Sequence, residues 1–401
     1  MTGRDPVREQ YERWPYPVPA EDLDAFPLHG PGSRYADLRD HHFGYWPTAP
    51  AYRAELDILV AGCGTFAGAA YAYFYPRARV TAFDVSTASL AHEERLKRRH
   101  GLANLTLREL RLEDAAALGA EYDFISVVGV LHHLEDPVAG LRALGGCLRP
   151  DGVLAGMVYG RYGRLGVSMM QEVFRALGLG QDPAGVQAVK EGLSAVPPWH
   201  PVRDYLERAR EDLLADTALV DAFLHRRERA YTVAECLQLV GSAGLAFQGW
   251  DDNFLYHPEL TLAEDHPFRA RLAALPEPEA WRVGELMFGA IPAHFFHACR
   301  RDRDPATYRA DFAGSRFLAW TPVPRAAIVE HEGAPSLVRG AFPPVGLDAS
   351  QARIVHAIDG QRTIGACLRA AGLDPSEPAI VDYARNMFRS LWRFGYMLFR
   401  W

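Results

Sequence analysis

The stretch Asp57–Gly68, DILVAGCGTFAG, constrains the fold more than any other part of this chain. Its apolar run, Ile58 to Ala61, reads as a short strand buried on both faces. The run ends in Gly62-x-Gly64, and the residues from Thr65 onward read as the start of a helix. Glycines at such a junction allow a tight turn and let a ligand lie against backbone with no Cβ in the way. A second apolar run, Ala78 to Phe83, ends in Asp84, about 20 residues further on, where a βαβ unit sets an acid against ribose hydroxyls. An adenosine-containing cofactor is the first expectation.

The rhythm continues around this stretch. Strands are expected at Asp57–Ala61, Arg79–Phe83, Leu105–Glu109, Tyr122–Val128 and Gly152–Val158, and helices at Phe66–Tyr75, Ser86–His100 and Pro137–Cys147. Such alternation implies an α/β, doubly wound parallel sheet. Residues 161–230 read as a helical insertion above the strand ends. Thr232 and Glu235 form the pattern of a capping box, opening another helix. Strands at Leu245–Asp251 and Ala293–Ala298 would bring the sheet to seven.

The flanks differ. Residues 1–50 are rich in aromatics and prolines and read as an arm packed on the next domain or a lid over its cleft, with 51–302 as the main domain. Residues 303–345, with Pro322-Val323-Pro324 and Pro343-Pro344, read as a linker. Residues 346–401 hold a helix capped by Thr363, a longer helix from Pro378 to about Phe394, and a strand after Gly395. This tail is expected to be a small winged-helix-like domain serving dimerisation or substrate presentation.

Composition excludes other classes. No run approaches the roughly 18 apolar residues of a membrane span, and the polar start, Met1 to Gln10, has no signal core. Five scattered cysteines without a C-x-x-C pair argue against a disulfide framework or zinc site and for a cytoplasmic protein. The histidines at 41–42, 257, 266, 294 and 297 have no metal-ligand spacing, and no metal is expected. A net charge of −7 disfavours a nucleic-acid partner.

Three features narrow the cofactor. Ala67 stands where the nicotinamide fingerprint has its third glycine. Glu113 and Asp114 follow the third strand, where an acid meets an adenine amino group. The fourth strand runs into Val128-Gly129-Val130-Leu131-His132-His133, whose carbonyls suit an ammonium and whose histidines would stand where a substrate approaches. With these residues the chain resembles class I S-adenosylmethionine-dependent methyltransferases, and among them bacterial members with an AGCGT run. The segment Gln10-Tyr11-Glu12, with Pro15-Tyr16-Pro17, resembles the start of the same enzymes.

The resemblance implies a Rossmann-like sheet and S-adenosylmethionine as cofactor. It implies that Ala61, Gly62, Cys63 and Gly64 border the methionyl group, that Asp84 and Val85 meet the ribose, that Glu113 or Asp114 lies near adenine, and that Val128 and Gly129 line the methionine tail. Val60 and Phe66 depart from the common pattern of an acid and a glycine.

On the acceptor side, either His132 or His133 is a candidate general base. Tyr11, Trp14 and Tyr16 are candidates for closing the pocket, and Tyr159, Arg161 and Tyr162 for meeting the substrate. The cluster His225-Arg226-Arg227-Glu228-Arg229 reads first as a solvated face. Methyl transfer to a small molecule or a peptide or protein side chain is the leading expectation. An RNA methyltransferase docking through the tail is the alternative, and a non-catalytic cofactor-binding protein a third.

Overall fold

The structure is a computed structural model of the 401-residue chain, described for residues 5–24, 37–40, 42–48, 55–263, 265–331, 334–340 and 344–401. His41, Pro343 and the expected domain boundary at residue 51 lie outside the described residues. The chain divides into two compact units, one built on residues 1–28, 54–250 and 285–302, the other on 29–53, 251–284 and 303–401.

The first unit holds a seven-stranded sheet. Its strands are β1 (Asp57–Ala61), β2 (Arg79–Asp84), β3 (Leu105–Glu109), β4 (Tyr122–Val128), β5 (Leu148–Tyr159), β6 (Leu245–Trp250) and β7 (Ala293–Arg300), in the order β3-β2-β1-β4-β5-β7-β6. Only β7 runs antiparallel to its neighbours, β5 and β6. Strand β1 is central, with Val60 paired to Ala82 on one side and Leu59 to Ile125 on the other. That explains why Ile58 to Ala61 are all apolar: a strand covered on both faces has no solvent side.

The first crossover helix, Ala67–Phe74, packs so close to the sheet that a Cβ on Gly68 would fall 2.5 Å from that of Ala82. The close approach expected from a third glycine is met one residue late, at Gly68 rather than at Ala67. Phe66 offers this helix no side-chain cap. The free amides of Gly68 and Ala69 instead donate to the buried Glu93 carboxylate at 2.8 and 2.7 Å. Burial lifts the Glu93 carboxyl to about 8, against the lowering pull of those amides.

Between β5 and the helix Val233–Ser242 that precedes β6 stand four α-helices, Leu165–Ala176, Pro183–Ala195, Val202–Arg208 and Asp216–Phe223, around a core that includes Val167, Phe174, Val189, Val220 and Phe223. The N-terminal segment docks on this unit. Its helix Pro6–Arg13 carries Glu12, which accepts from the Thr87 amide at 2.6 Å, and the Pro17 carbonyl accepts from the Thr65 hydroxyl at 2.8 Å. The expected arm 1–50 is therefore divided: 5–24 belong to the sheet unit, and 37–40 and 42–48 to the other.

The second unit corrects the expectation of a linker. Residues 303–345 supply β8 (Thr321–Pro324), β9 (Ala327–His331) and β10 (Ala334–Val338), together with the core side chains Phe312, Phe317 and Trp320. Strand β10 pairs with β9 and with β11 (Val345–Gly346), and β8 pairs with β12 (Met397–Arg400). Helix Pro378–Arg393 buries Ala384, Met387, Phe388 and Leu391, a single stripe at helical spacing. Pro322 and Pro324 stand in β8 and Pro344 beside β11, edge strands where a missing N–H costs little.

Candidate active site

The glycine turn is pinned to β2. The amides of Gly62 and Cys63 both donate to the Phe83 carbonyl, at 2.9 and 3.0 Å. Gly62 has φ +69°, and a Cβ there would fall 2.3 Å from Val130, so the loop after β4 lies directly against the turn. Asp84, at the end of β2, accepts the Gly64 amide through Oδ2 and the Ser86 amide through Oδ1, both at 2.9 Å. Burial raises its carboxyl, with those amides opposing.

This arrangement fits an adenosyl group. A carboxylate has about four acceptor directions, and the Gly64, Ser86 and Val85 amides leave room on it for a further donor such as a ribose hydroxyl. Gly129, with φ +79°, has no atom within 4 Å of where a Cβ would stand. Ala61 and Cys63 are buried at the turn, and Val85 and Val128 are half-buried at the strand ends. The Cys63 thiol is pushed well up by burial and then by Glu93 and Asp84, which suits packing and not nucleophilic attack. Asp114 is exposed, while Glu113 is half-buried and lies 3.7 Å from Arg111.

On the acceptor side the sequence offers either His132 or His133 as a general base. The structure buries both, His132 at 1% and His133 at 2% exposure, on the short turn Leu131–His133. Their surroundings differ. His132 packs on the Tyr159 ring at 3.9 Å, and Arg164 covers that ring at 3.6 Å. Burial and neighbouring cations push His132 well down. His133 Nδ1 faces the Arg227 carbonyl at 3.0 Å, and its ring stacks on His225 at 3.8 Å.

His225 is a correction. The segment 225–229 is not one solvated cluster: His225 is buried, and Glu228 turns inward to a buried pair with Arg164 at 3.0 Å. Asp221, one turn before His225, is also buried and accepts the Tyr11 hydroxyl at 2.9 Å. Sequence reasoning missed Asp221 and His225. The signal was a lone carboxylate inside the apolar run Ala218–Leu224, with a histidine four residues later on the same face.

Other candidates fall elsewhere. Arg161 pairs with Glu235 at 2.7 Å and is 46% exposed, and Tyr162 is exposed, so neither joins the cluster. Tyr159 does. In the arm, Tyr11 meets Asp221, the Trp14 indole donates to the Gln181 carbonyl at 3.1 Å, and Tyr16 lies beside the turn with its carbonyl 3.1 Å from where a Gly64 Cβ would stand. Burial pushes the Tyr11 phenol well up, with Asp221 and then Asp84 among the further causes, so Tyr11 feels both carboxylates.

The fold and the turn define a Rossmann-like methyltransferase domain, and comparison with known proteins agrees. Residues 59–154 match a family described as a methyltransferase domain. An uncharacterized protein of Synechococcus sp. is 32% identical over 297 residues, 70% of this chain and 68% of that one. Two structures of PKMT2 from Rickettsia typhi, the second in complex with AdoHcy, superpose with a TM-score of 0.61. They are 14% and 13% identical, with coverage of 90% and 96% of this chain and 74% and 77% of theirs, a likeness of fold. The chain carries a methyltransferase domain over residues 59–154, belongs to one family with the Synechococcus protein, and takes S-adenosylmethionine as its cofactor.

Proposed function

We propose that the chain transfers the methyl group of S-adenosylmethionine, by in-line displacement, to a small-molecule or peptide or protein acceptor. The observation behind this reading is the Asp84 carboxylate held 2.9 Å from the Gly64 amide, at the edge of a turn where β1, β2 and the loop after β4 converge. Asp84 would bind the ribose, Ala61 to Gly64 and Val85 would border the donor, Glu113 or Asp114 would lie toward adenine, and Val128 and Gly129 would line the methionine tail. Tyr11, Trp14 and Tyr16 would act as a lid. The donor supplies an electrophilic methyl on sulfonium, so the protein's work is to align the acceptor, exclude water and remove a proton.

Calorimetric titration of the full chain with AdoHcy tests the donor site. Binding that Asp84→Asn weakens by about 10-fold or more supports it. Unchanged affinity in Asp84→Asn refutes the ribose assignment.

One observation favours a peptide or protein acceptor. Helix Leu165–Ala176 exposes Leu165, Met169 and Val173, four residues apart, with Leu177 at 67% exposure beyond them. An apolar stripe on an insertion helix suits a polypeptide partner. The C-terminal unit is assigned presentation of that acceptor or self-association. Light scattering of the full chain reads self-association, and its activity on protein against small-molecule acceptors reads presentation.

A further inference from the structure

Resting on the donor reading above, we propose that the acceptor group is a hydroxyl held between His133 and His225, and that His133 takes its proton beside Asp221. One polar atom of each of His133, Asp221 and His225 lies within 4.8 Å of the other two. A single atom among them would therefore sit within about 2.8 Å of all three, hydrogen-bond distance.

The backbone of Arg227 decides what each ring offers. Its carbonyl faces His133 Nδ1 at 3.0 Å, so His133 carries its hydrogen on Nδ1 and presents a lone pair at Nε2. Its amide donates to His225 Nδ1 at 3.0 Å, so neutral His225 carries its hydrogen on Nε2. That Nε2 is buried and has no partner among the described residues. Burial, and then His133, keep His225 well below the usual histidine range, so it remains neutral. The pair thus offers one acceptor and one donor.

A hydroxyl matches both. Its hydrogen goes to His133, one oxygen lone pair accepts from His225, and the other stays free to meet the methyl. A neutral amine spends its single lone pair on the methyl and would leave the buried His225 N–H unsatisfied.

In the step, the acceptor oxygen forms a bond to the methyl carbon as the carbon–sulfur bond breaks. That electron pair stays on sulfur, which leaves as a neutral thioether. The hydroxyl proton passes to His133, and Asp221 balances the imidazolium until the proton returns to solvent. Asp221 and Tyr11 are positioning residues: the Tyr11 hydroxyl holds Asp221, and Tyr11 belongs to the docked N-terminal helix.

The test uses the full chain with S-adenosylmethionine tritiated in its methyl group, incubated with small-molecule and protein fractions of a cell lysate. After acid hydrolysis, chromatography sorts methyl ethers from N-methylamines, methyl thioethers and methanol released from esters. Label in ethers is expected. Label on nitrogen, on sulfur or in methanol, or no label while AdoHcy binds, overturns the proposal; failure of AdoHcy to bind overturns the donor reading instead. On the labelled acceptor, His133→Ala is expected to lower the rate at least about 100-fold, with partial rescue by added imidazole and AdoHcy affinity within twofold. Asp221→Asn is expected to lower kcat about 10-fold with the KM for S-adenosylmethionine kept. A variant His133 that keeps its rate, or an Asp221→Asn variant whose kcat is unchanged, counts against the assignment.

Discussion

The donor side and the acceptor side of the site are built in different ways. The donor turn comes from one stretch, Ala61 to Val130, where each strand end follows the last by a single crossover and backbone amides hold the key carboxylate. The acceptor cluster draws Tyr11 from the N-terminal helix, His133 from a turn, and Asp221 and His225 from the insertion. Its contacts join side chains over as many as 210 positions of sequence, with the Arg227 backbone against both histidine rings. A site held by backbone tolerates changes around it and fails when the turn is blocked. A site held by side chains loses function piece by piece while the fold stands.

That contrast is open to attack, most severely at the turn. Gly62→Val forces a branched side chain into Val130 at a positive φ. It is expected to abolish AdoHcy binding in calorimetry or to prevent folding, as read by circular dichroism; a folded variant that binds normally would break the picture of a sterically fixed turn.

The next effect in size is one of stability. Glu93 rises from an ordinary carboxyl to about 8 on folding, so the folded state binds more protons. Its stabilising contribution is complete below about pH 4.5 and is lost as pH rises toward 8. The buried carboxyls of Asp84 and Asp221 are raised as well and act in the same direction. Buried His132 and His225 are lowered and act the other way over the same range. The test is therefore a difference: from about pH 5 to pH 8 the thermal midpoint is expected to fall relative to that of Glu93→Gln, and parallel profiles would show that Glu93 does not titrate as described.

At the acceptor cluster, Tyr11→Phe deletes one hydrogen bond to a buried carboxylate, worth about 1.5–3 kcal/mol. A rate loss of the order of 10-fold with AdoHcy affinity kept would sharpen the division between the two sides. An equal loss of donor affinity would erase it. The smallest effect is expected at Arg161, an exposed ion pair with Glu235. Arg161→Ala should change stability by less than about 1 kcal/mol and leave the rate alone; a large loss of rate would return Arg161 to the substrate site.

Sequence by itself determined the seven strands, the turn Gly62–Gly64 and the place of Asp84, because these follow from short-range rules: apolar runs, glycine at a positive φ, and the fixed length of a βαβ unit. It also delivered the Thr232–Glu235 capping box, which is local for the same reason. Tertiary structure alone decided the rest. Residues 303–345 read as a linker because proline marks an edge strand and a loop alike, and only β12, arriving from the far end of the chain, shows that β8 is a strand. His225 read as part of a solvated charge cluster because a histidine among arginines looks polar, until the Arg227 backbone and the His133 ring enclose it. Side chains that meet across more than 80 residues have no common signature in the chain; the packing that brings them together assigns their protons as well.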